Sequence, residues 1–260
     1  MEIVELSREN EQDYFLCLED WSSDLREAGS HKENWYGKFR DRVRVKLALD
    51  DQGTVGGMIQ YMPIEDSFAE GSDLYVIYCI WVHGYKKGRG NFQKRGMGKA
   101  LVEAAEQDAR ERGAKGIAAW GITMPFFMKA SWFKKRGFKP VDREGIIVLL
   151  WKSFTEEAIP PRLIKRKKNP EPITGRVSVT AFINGWCPSQ NMVYERAKRA
   201  AARFGDAVEF SGIDTSERET FLAWGIYDGL FVDGKEVRTG PPPSYEKIER
   251  LIRKRVKRLK

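Results

Sequence analysis

Histidine and cysteine are scarce in this 260-residue chain, and the scarcity narrows its chemistry. The two histidines, His31 and His83, are too few and too separated for a zinc site. Cys17, Cys79 and Cys187 are odd in number and far apart, which argues against a disulfide framework and a metal cluster. No metal is therefore expected. Long apolar runs are also missing, since none approaches the roughly 20 residues that a membrane-crossing helix needs. The opening Met1-Glu2-Ile3-Val4-Glu5 has neither the basic start nor the apolar centre of a secretion signal. A cytoplasmic protein without a membrane partner is the expectation.

What is present belongs to a globular protein, with 42% hydrophobic and 12% aromatic residues. The length allows two domains. Charge divides unevenly: residues 1–158 carry a net −1 and residues 159–260 a net +9. Two units with different surfaces are implied.

Along the first part, Ile3 to Leu6 reads as a strand and Ser7 to Ser22 as an amphipathic helix, with Tyr14, Leu18 and Trp21 on one face. A short helix over 31–40 follows, then strands over 43–49 and 54–62 about the turn residues Asp50-Asp51-Gln52-Gly53. Gly56-Gly57 marks a bulge or a close backbone approach. Leu74 to Val82 is apolar throughout and β-branched or aromatic at most positions, as in a central strand. A helical period then places Met97, Leu101, Ala104, Ala105 and Ala109 on one face. Gly116 to Gly121 reads as a strand, Phe126 to Arg136 as a helix stopped by Gly137, and 138–141 with 145–151 as a closing hairpin.

Before the long helix stands Gln93-Lys94-Arg95-Gly96-Met97-Gly98-Lys99. Its glycines let the backbone turn tightly and approach a ligand. The first amides of a helix lack intrahelical partners and sit at the positive end of its dipole, where a diphosphate fits. Lys94, Arg95 and Lys99 add cations.

Gln93-x-x-Gly96-x-Gly98, between a strand and a helix, resembles the pyrophosphate loop of the GNAT acetyltransferases. Ser131-Trp132-Phe133-Lys134-Lys135-Arg136-Gly137-Phe138 resembles that family's final-helix pattern. The resemblance implies an α/β (α+β) GNAT fold over 1–158, a mixed central sheet flanked by helices. It also implies an acetyl-CoA-dependent N-acetyltransferase acting on a primary amine by direct attack. The loop residues 93–99 would hold the diphosphate, and the backbone of Ile80, Trp81 and Val82 would pair with the pantetheine arm. The family's usual acid, a tyrosine on the final helix, is replaced by Phe133, and Phe126 stands near a common asparagine position. Tyr78, Cys79 and His83 are the nearby candidates for acid or base work, each with a plainer reading as packing or loop structure. The basic stretch from His83 to Phe92 either wraps the nucleotide or is a solvated loop.

Residues 159–175 hold four prolines and Lys165-Arg166-Lys167-Lys168, a linker or extended arm. From 176 to 260 the order is strand, helix, strand, hairpin and helix, with Trp186-Cys187-Pro188 before the first helix. This resembles a thioredoxin-like α/β domain, and the pair resembles acetyltransferases carrying a YoaP-type C-terminal domain. Helix N-termini favour thiolate, so Cys187 is a candidate reactive thiol. Gln190 stands where a second cysteine would be, and the usual facing proline is absent, so a degenerate domain that recognises a substrate or docks a protein partner is the other reading. The last helix has eight Lys or Arg among its final 14 residues but no interleaved aromatics, so nucleic acid is not expected. The alternative for the whole chain is a non-catalytic acyl-CoA-binding or interaction protein.

Overall fold

The computed structural model describes residues 1–124 and 127–259. Its elements begin with β1 (Glu2–Glu5), α1 (Glu11–Phe15), α2 (His31–Phe39), β2 (Arg44–Leu49), β3 (Val55–Pro63), β4 (Ala69–Glu70) and β5 (Leu74–Val82). They continue through α3 (Met97–Glu111), β6 (Gly116–Ile122), α4 (Ala130–Lys134), β7 (Lys139–Glu144), β8 (Ile147–Ser153) and β9 (Arg162–Leu163). The remainder are β10 (Val177–Ile183), α5 (Pro188–Ala202), β11 (Val208–Asp214), α6 (Arg218–Trp224), β12 (Gly229–Val232), β13 (Lys235–Val237) and α7 (Tyr245–Val256). Two compact units emerge: Met1–Trp21 with Phe39–Ile164, and Ser22–Lys38 with Lys165–Lys260. Among the described residues no helix is long and apolar enough to cross a membrane.

The first unit is built on a seven-stranded sheet of order β1-β2-β3-β5-β6-β8-β7. Only β5 and β6 run parallel; the other neighbours are antiparallel. The β2–β3 turn closes because Asp50 Oδ1 accepts the amides of Gln52 and Thr54 at 3.0 and 2.9 Å. Gly56 is skipped in the β2–β3 register and also lies against another element. A Cβ there would stand 2.5 Å from the Phe92 ring, and one on Gly57 would stand 3.0 Å from Leu101. The expected bulge and the expected close approach therefore coincide. Leu101, Val102, Ala105 and Ala109 seat α3 on this face of the sheet, with Ile59, Ile77 and Ala119 beneath them.

Two helices are shorter than their periodicity suggests. α1 ends at Phe15 because Cys17 and Leu18 both turn left-handed, with φ of 50° and 62°. The Leu18 amide then donates to Asp13 O at 2.8 Å, and the fully buried Leu18 side chain offsets the strain. α4 covers only Ala130–Lys134 of the helix expected over 126–136, and Phe126 lies outside the described residues. Gly137 closes it at φ 86°, as expected. Residues 159–175 contain no helix, yet they are anchored. β9 pairs with β4, Leu163 and Ile164 are buried, and the Lys167 amide donates to Trp224 O at 2.9 Å.

In the second unit the sheet order is β11-β10-β12-β13, with β10 and β11 parallel and the other pairs antiparallel. β10 is buried along its whole length, as its central position requires. Val193, Ala197 and Ala200 of α5, with Ile248 and Ile252 of α7, pack on one face of this sheet. Ser22–Lys38, which the sequence places with the first domain, clusters here because its charges are matched here. Glu27 accepts from Arg196 Nη2 at 2.8 Å and also from Arg199. His31 meets Glu195 at 2.7 Å, and Lys38 donates to Glu217 at 2.5 Å.

Candidate active site

The site begins at an irregularity in β5. Gln60 of β3 faces Cys79 while Tyr61 faces Ile77, so Tyr78 is an extra residue that bulges out of the ladder. Beside the bulge the parallel pairing of β5 with β6 runs from Leu74↔Gly116 to Ile77↔Ala119 and stops. β5 continues to Val82 on β3 and β6 to Ile122 on β8, so the two strands part. Trp120 plugs the fork, donating its indole N–H to Tyr78 O at 2.7 Å. Ile80, Trp81 and Val82, beyond it, change from buried to half-buried.

Next to this opening stands the N-terminus of α3. Lys94 and Gly96 both take positive φ, 64° and 88°, so the loop turns twice before the helix starts. Gly96 has no side-chain cap to offer. The amides of Lys94, Arg95, Gly96, Met97 and Gly98 find no acceptor among the described residues; the Gln93 amide is taken by Asn91 Oδ1 at 2.9 Å. Such successive free N–H groups at a positive dipole end make an anion cradle. A Cβ on Gly96 would meet nothing within 4 Å, so the loop's outer side is open. One on Gly98 would lie 3.1 Å from the Trp132 ring and 3.7 Å from Val82, which ties the first turn of α3 to the open end of β5. A cavity of about 330 Å³ continues along α3, lined by Lys99, Val102, Glu103, Glu106, Lys135, Arg136 and Lys152. Arg136 stacks 3.3 Å over the Trp132 ring. A larger cavity of about 540 Å³ lies at the other end of β5, beside Glu70 and Gly71.

The three candidates for proton transfer are all enclosed. Tyr78 is buried, with its hydroxyl donated to Asp66 O at 3.0 Å and its ring against Phe68. Cys79 is buried on the strand. His83 is fully buried and both ring nitrogens are engaged: Nδ1 donates to Gly90 O at 2.5 Å and Nε2 accepts the Trp21 indole N–H at 3.0 Å. His83 therefore anchors the basic loop. Arg89 turns inward with it, donating to Asp13 at 2.6 Å, Asp20 at 2.9 Å and Val55 O at 2.9 Å. Of that loop's cations only Lys86 and Lys87 stay exposed. Phe133, at the position of the family's acid, is wholly buried against Trp132 and Phe138.

Other residues at the fork were not legible as site residues. Trp120–Phe127, Phe127–Trp81, Trp81–Tyr85 and Tyr85–Trp21 form a run of rings with centroids 5.7–6.2 Å apart. The aromatic content of β5 and β6 was visible, but each ring alone looks like ordinary strand packing. Glu19, two residues before Trp21 in the sequence, was not legible either. Its carboxyl is half-buried without a hydrogen bond or ion pair among the described residues, and desolvation raises its pKa. No group of three His, Cys, Asp or Glu side chains able to hold a metal occurs among the described residues.

In the second unit Cys187 is the N-cap of α5, with Pro188 at the first helical position. Its carbonyl accepts from the amides of Gln190 and Asn191 at 3.0 and 2.9 Å, and its side chain is half-exposed.

The parting of β5 and β6 thus lies beside a helix start with free amides, an arrangement whose shape and polarity could accept an extended ligand bearing phosphates. A model of the Acetyltransferase (GNAT) family matches residues 4–138, a little over half of the sequence. The chain belongs to that family and is an acyltransferase. No curated protein matches it. Among solved structures it is similar to a GNAT family acetyltransferase from Brucella melitensis in complex with acetyl-CoA. That match has 15% identity over 61% of this chain and 90% of the other, with a TM-score of 0.41. It is also similar to the PaiA N-acetyltransferase from Thermoplasma acidophilum in complex with coenzyme A (17%, 59% and 98%, TM-score 0.44). A third is a GNAT family N-acetyltransferase from Escherichia coli in complex with CoA (12%, 62% and 88%, TM-score 0.44).

Proposed function

We propose that this protein is an acetyl-CoA-dependent N-acetyltransferase whose acceptor is a primary amine. The observation that carries this reading is the row of unpaired amides from Lys94 to Gly98 beside the parting of β5 and β6. Those amides, with Lys94, Arg95 and Lys99 around them, would hold the diphosphate. The half-buried backbone of Ile80, Trp81 and Val82 would lie along the pantetheine arm, ending at the fork that Trp120 plugs. Acetyl-CoA supplies an activated thioester, whose C–S bond breaks as the amine forms its C–N bond, one proton leaving the nitrogen and one reaching the thiolate. Phe133 cannot give that last proton, and the Tyr78 hydroxyl is already donated to Asp66 O. Transfer therefore rests on holding the two reactants together in a site that excludes water.

The second unit is read as a thioredoxin-like domain over residues 176–260. Its strand order, its one parallel pair and Cys187 at the start of α5 support this reading. Asp228 stands just before β12, where such a domain usually has its proline. A docking role toward a protein partner suits this arrangement better than a redox cycle.

Calorimetry with acetyl-CoA tests the main reading. Gly96→Asp would put a carboxylate against the free amides at a backbone angle that disfavours side chains, so binding should fall at least about a hundredfold, the scale of a like-charge clash of several kcal/mol. Unchanged affinity in the folded variant would remove the loop from the binding site.

A further inference from the structure

The rings at the fork carry information about the acceptor, and the inference rests on the acetyl-transfer reading above. Five aromatic side chains, Trp120, Phe127, Trp81, Tyr85 and Trp21, follow one another from β6 across the opening to β5 and the segment after α1. Tyr85 and Phe127 are 47% and 37% exposed, so the run is open to a ligand and not sealed as core. The indole N–H of Trp81 is buried among them with no acceptor from the described residues.

The charges around the rings exclude one large class of amine. Lys87 already stands 5.2 Å over the Trp21 ring and fills that cation–π position. Lys86 beside it is exposed, while Asp13 and Asp20 are both taken by Arg89. A polycationic acceptor would meet Lys86 and Lys87 at the mouth, where Asp13 and Asp20 are already held by Arg89. A single amine on an apolar body meets the reverse. Apolar walls and nearby cations both disfavour the ammonium form, and only the neutral amine can attack a thioester.

We propose that the acceptor is an arylalkylamine, a primary amine on a flat aromatic body that packs among Trp81, Tyr85, Trp120 and Phe127 at the fork. Ring packing fixes the body in edge or offset geometry and leaves the amine directed toward the end of β5.

The test uses the full chain with saturating acetyl-CoA and follows CoA release with tryptamine, phenethylamine, spermidine and kanamycin. The two aromatic amines should exceed the two polycations at least about tenfold in kcat/KM, the worth of one good aromatic contact. Tyr85→Ala and Phe127→Ala, both at exposed rings, should each raise the KM for tryptamine severalfold while acetyl-CoA affinity by calorimetry stays unchanged. Preference for spermidine or kanamycin, or an unaltered tryptamine KM in both variants, would overturn the proposal. If acetyl-CoA itself does not bind, the acetyl-transfer reading fails separately. Tryptamine titrated alone then decides the aromatic cleft, with binding that weakens in the two variants supporting it and no binding removing it.

Discussion

Asp228 lies where the chain turns into β12, and its Oδ1 accepts the Asn184 amide at 2.9 Å. Desolvation pushes its carboxyl from 3.8 up to about 7, against the smaller downward pull of that amide. Part of its surface reaches solvent, which limits the size of the effect but not its sign. Because the folded-state pKa is raised, the stability gained from a protonated Asp228 is complete below about pH 4 and is lost as pH rises through 7. Asp228→Asn keeps an oxygen for the Asn184 amide and removes the charge. The variant should have a higher urea midpoint than the parent at pH 8, and the gap should close by pH 4. A variant no more stable than its parent at pH 8 would show that the carboxylate is solvated. This residue was not legible in advance: nothing in Tyr227-Asp228-Gly229 distinguishes a desolvated carboxyl from an ordinary solvated turn aspartate.

At the scale of elements, α3 and β5 were readable because each states its environment in one period. α3 repeats its apolar face every three or four residues, and β5 is apolar throughout because both faces are covered up to the bulge. The bulge at Tyr78 was not readable, since nothing in Ile77-Tyr78-Cys79 distinguishes two-against-one pairing from regular pairing. Nor was the early end of α1, where two non-glycine residues take left-handed angles that only tertiary packing sustains. The α3–β3 contact supplies a test. Phe92 and Met97 press on the backbone of Gly56, where a Cβ would stand 2.5 Å and 3.0 Å from them. Both residues flank the loop with the free amides, so the glycine sets where that loop lies. Gly56→Val should destabilise the first unit by about 1–3 kcal/mol, as overpacking does. It should also weaken acetyl-CoA binding, because α3 must shift to make room. Combining it with Phe92→Ala should recover part of the stability. If the double variant is as destabilised as the two changes summed, the steric account is wrong.

At the scale of the whole molecule, composition showed two units but not where the chain divides between them. The proline-rich stretch 159–175 was visible from its residues; in the structure the compact units change between Ile164 and Lys165. The transfer of Ser22–Lys38 to the second unit was invisible, because it depends on charges about 170 residues apart, Glu27 with Arg196 and Arg199. Arg196 is only 5% exposed, so it needs a carboxylate to remain charged in place. Arg196 in turn lowers the Glu27 pKa, so this contribution to stability is present at neutral pH and is lost as the solution becomes acid. Arg196 Nη1 also donates to Pro243 O at 3.1 Å, so the guanidinium joins α5 to the segment leading into α7. Glu27→Gln leaves a hydrogen-bonding group of the same shape and takes away the nearer of the two carboxylates that balance Arg196, leaving Asp24 at 3.5 Å. Amide exchange over Pro188–Ala202 in the full chain should then quicken at pH 7 by roughly two orders of magnitude, as breaking one partner of a buried pair costs about 3 kcal/mol. Exchange over Leu74–Val82, in the other unit, should stay at the parental rate. At low pH, where Glu27 is protonated in both proteins, the difference over α5 should shrink. Equal quickening in β5 and α5 would mean that the two units unfold as one, and no change in either would mean that Arg196 is held without Glu27.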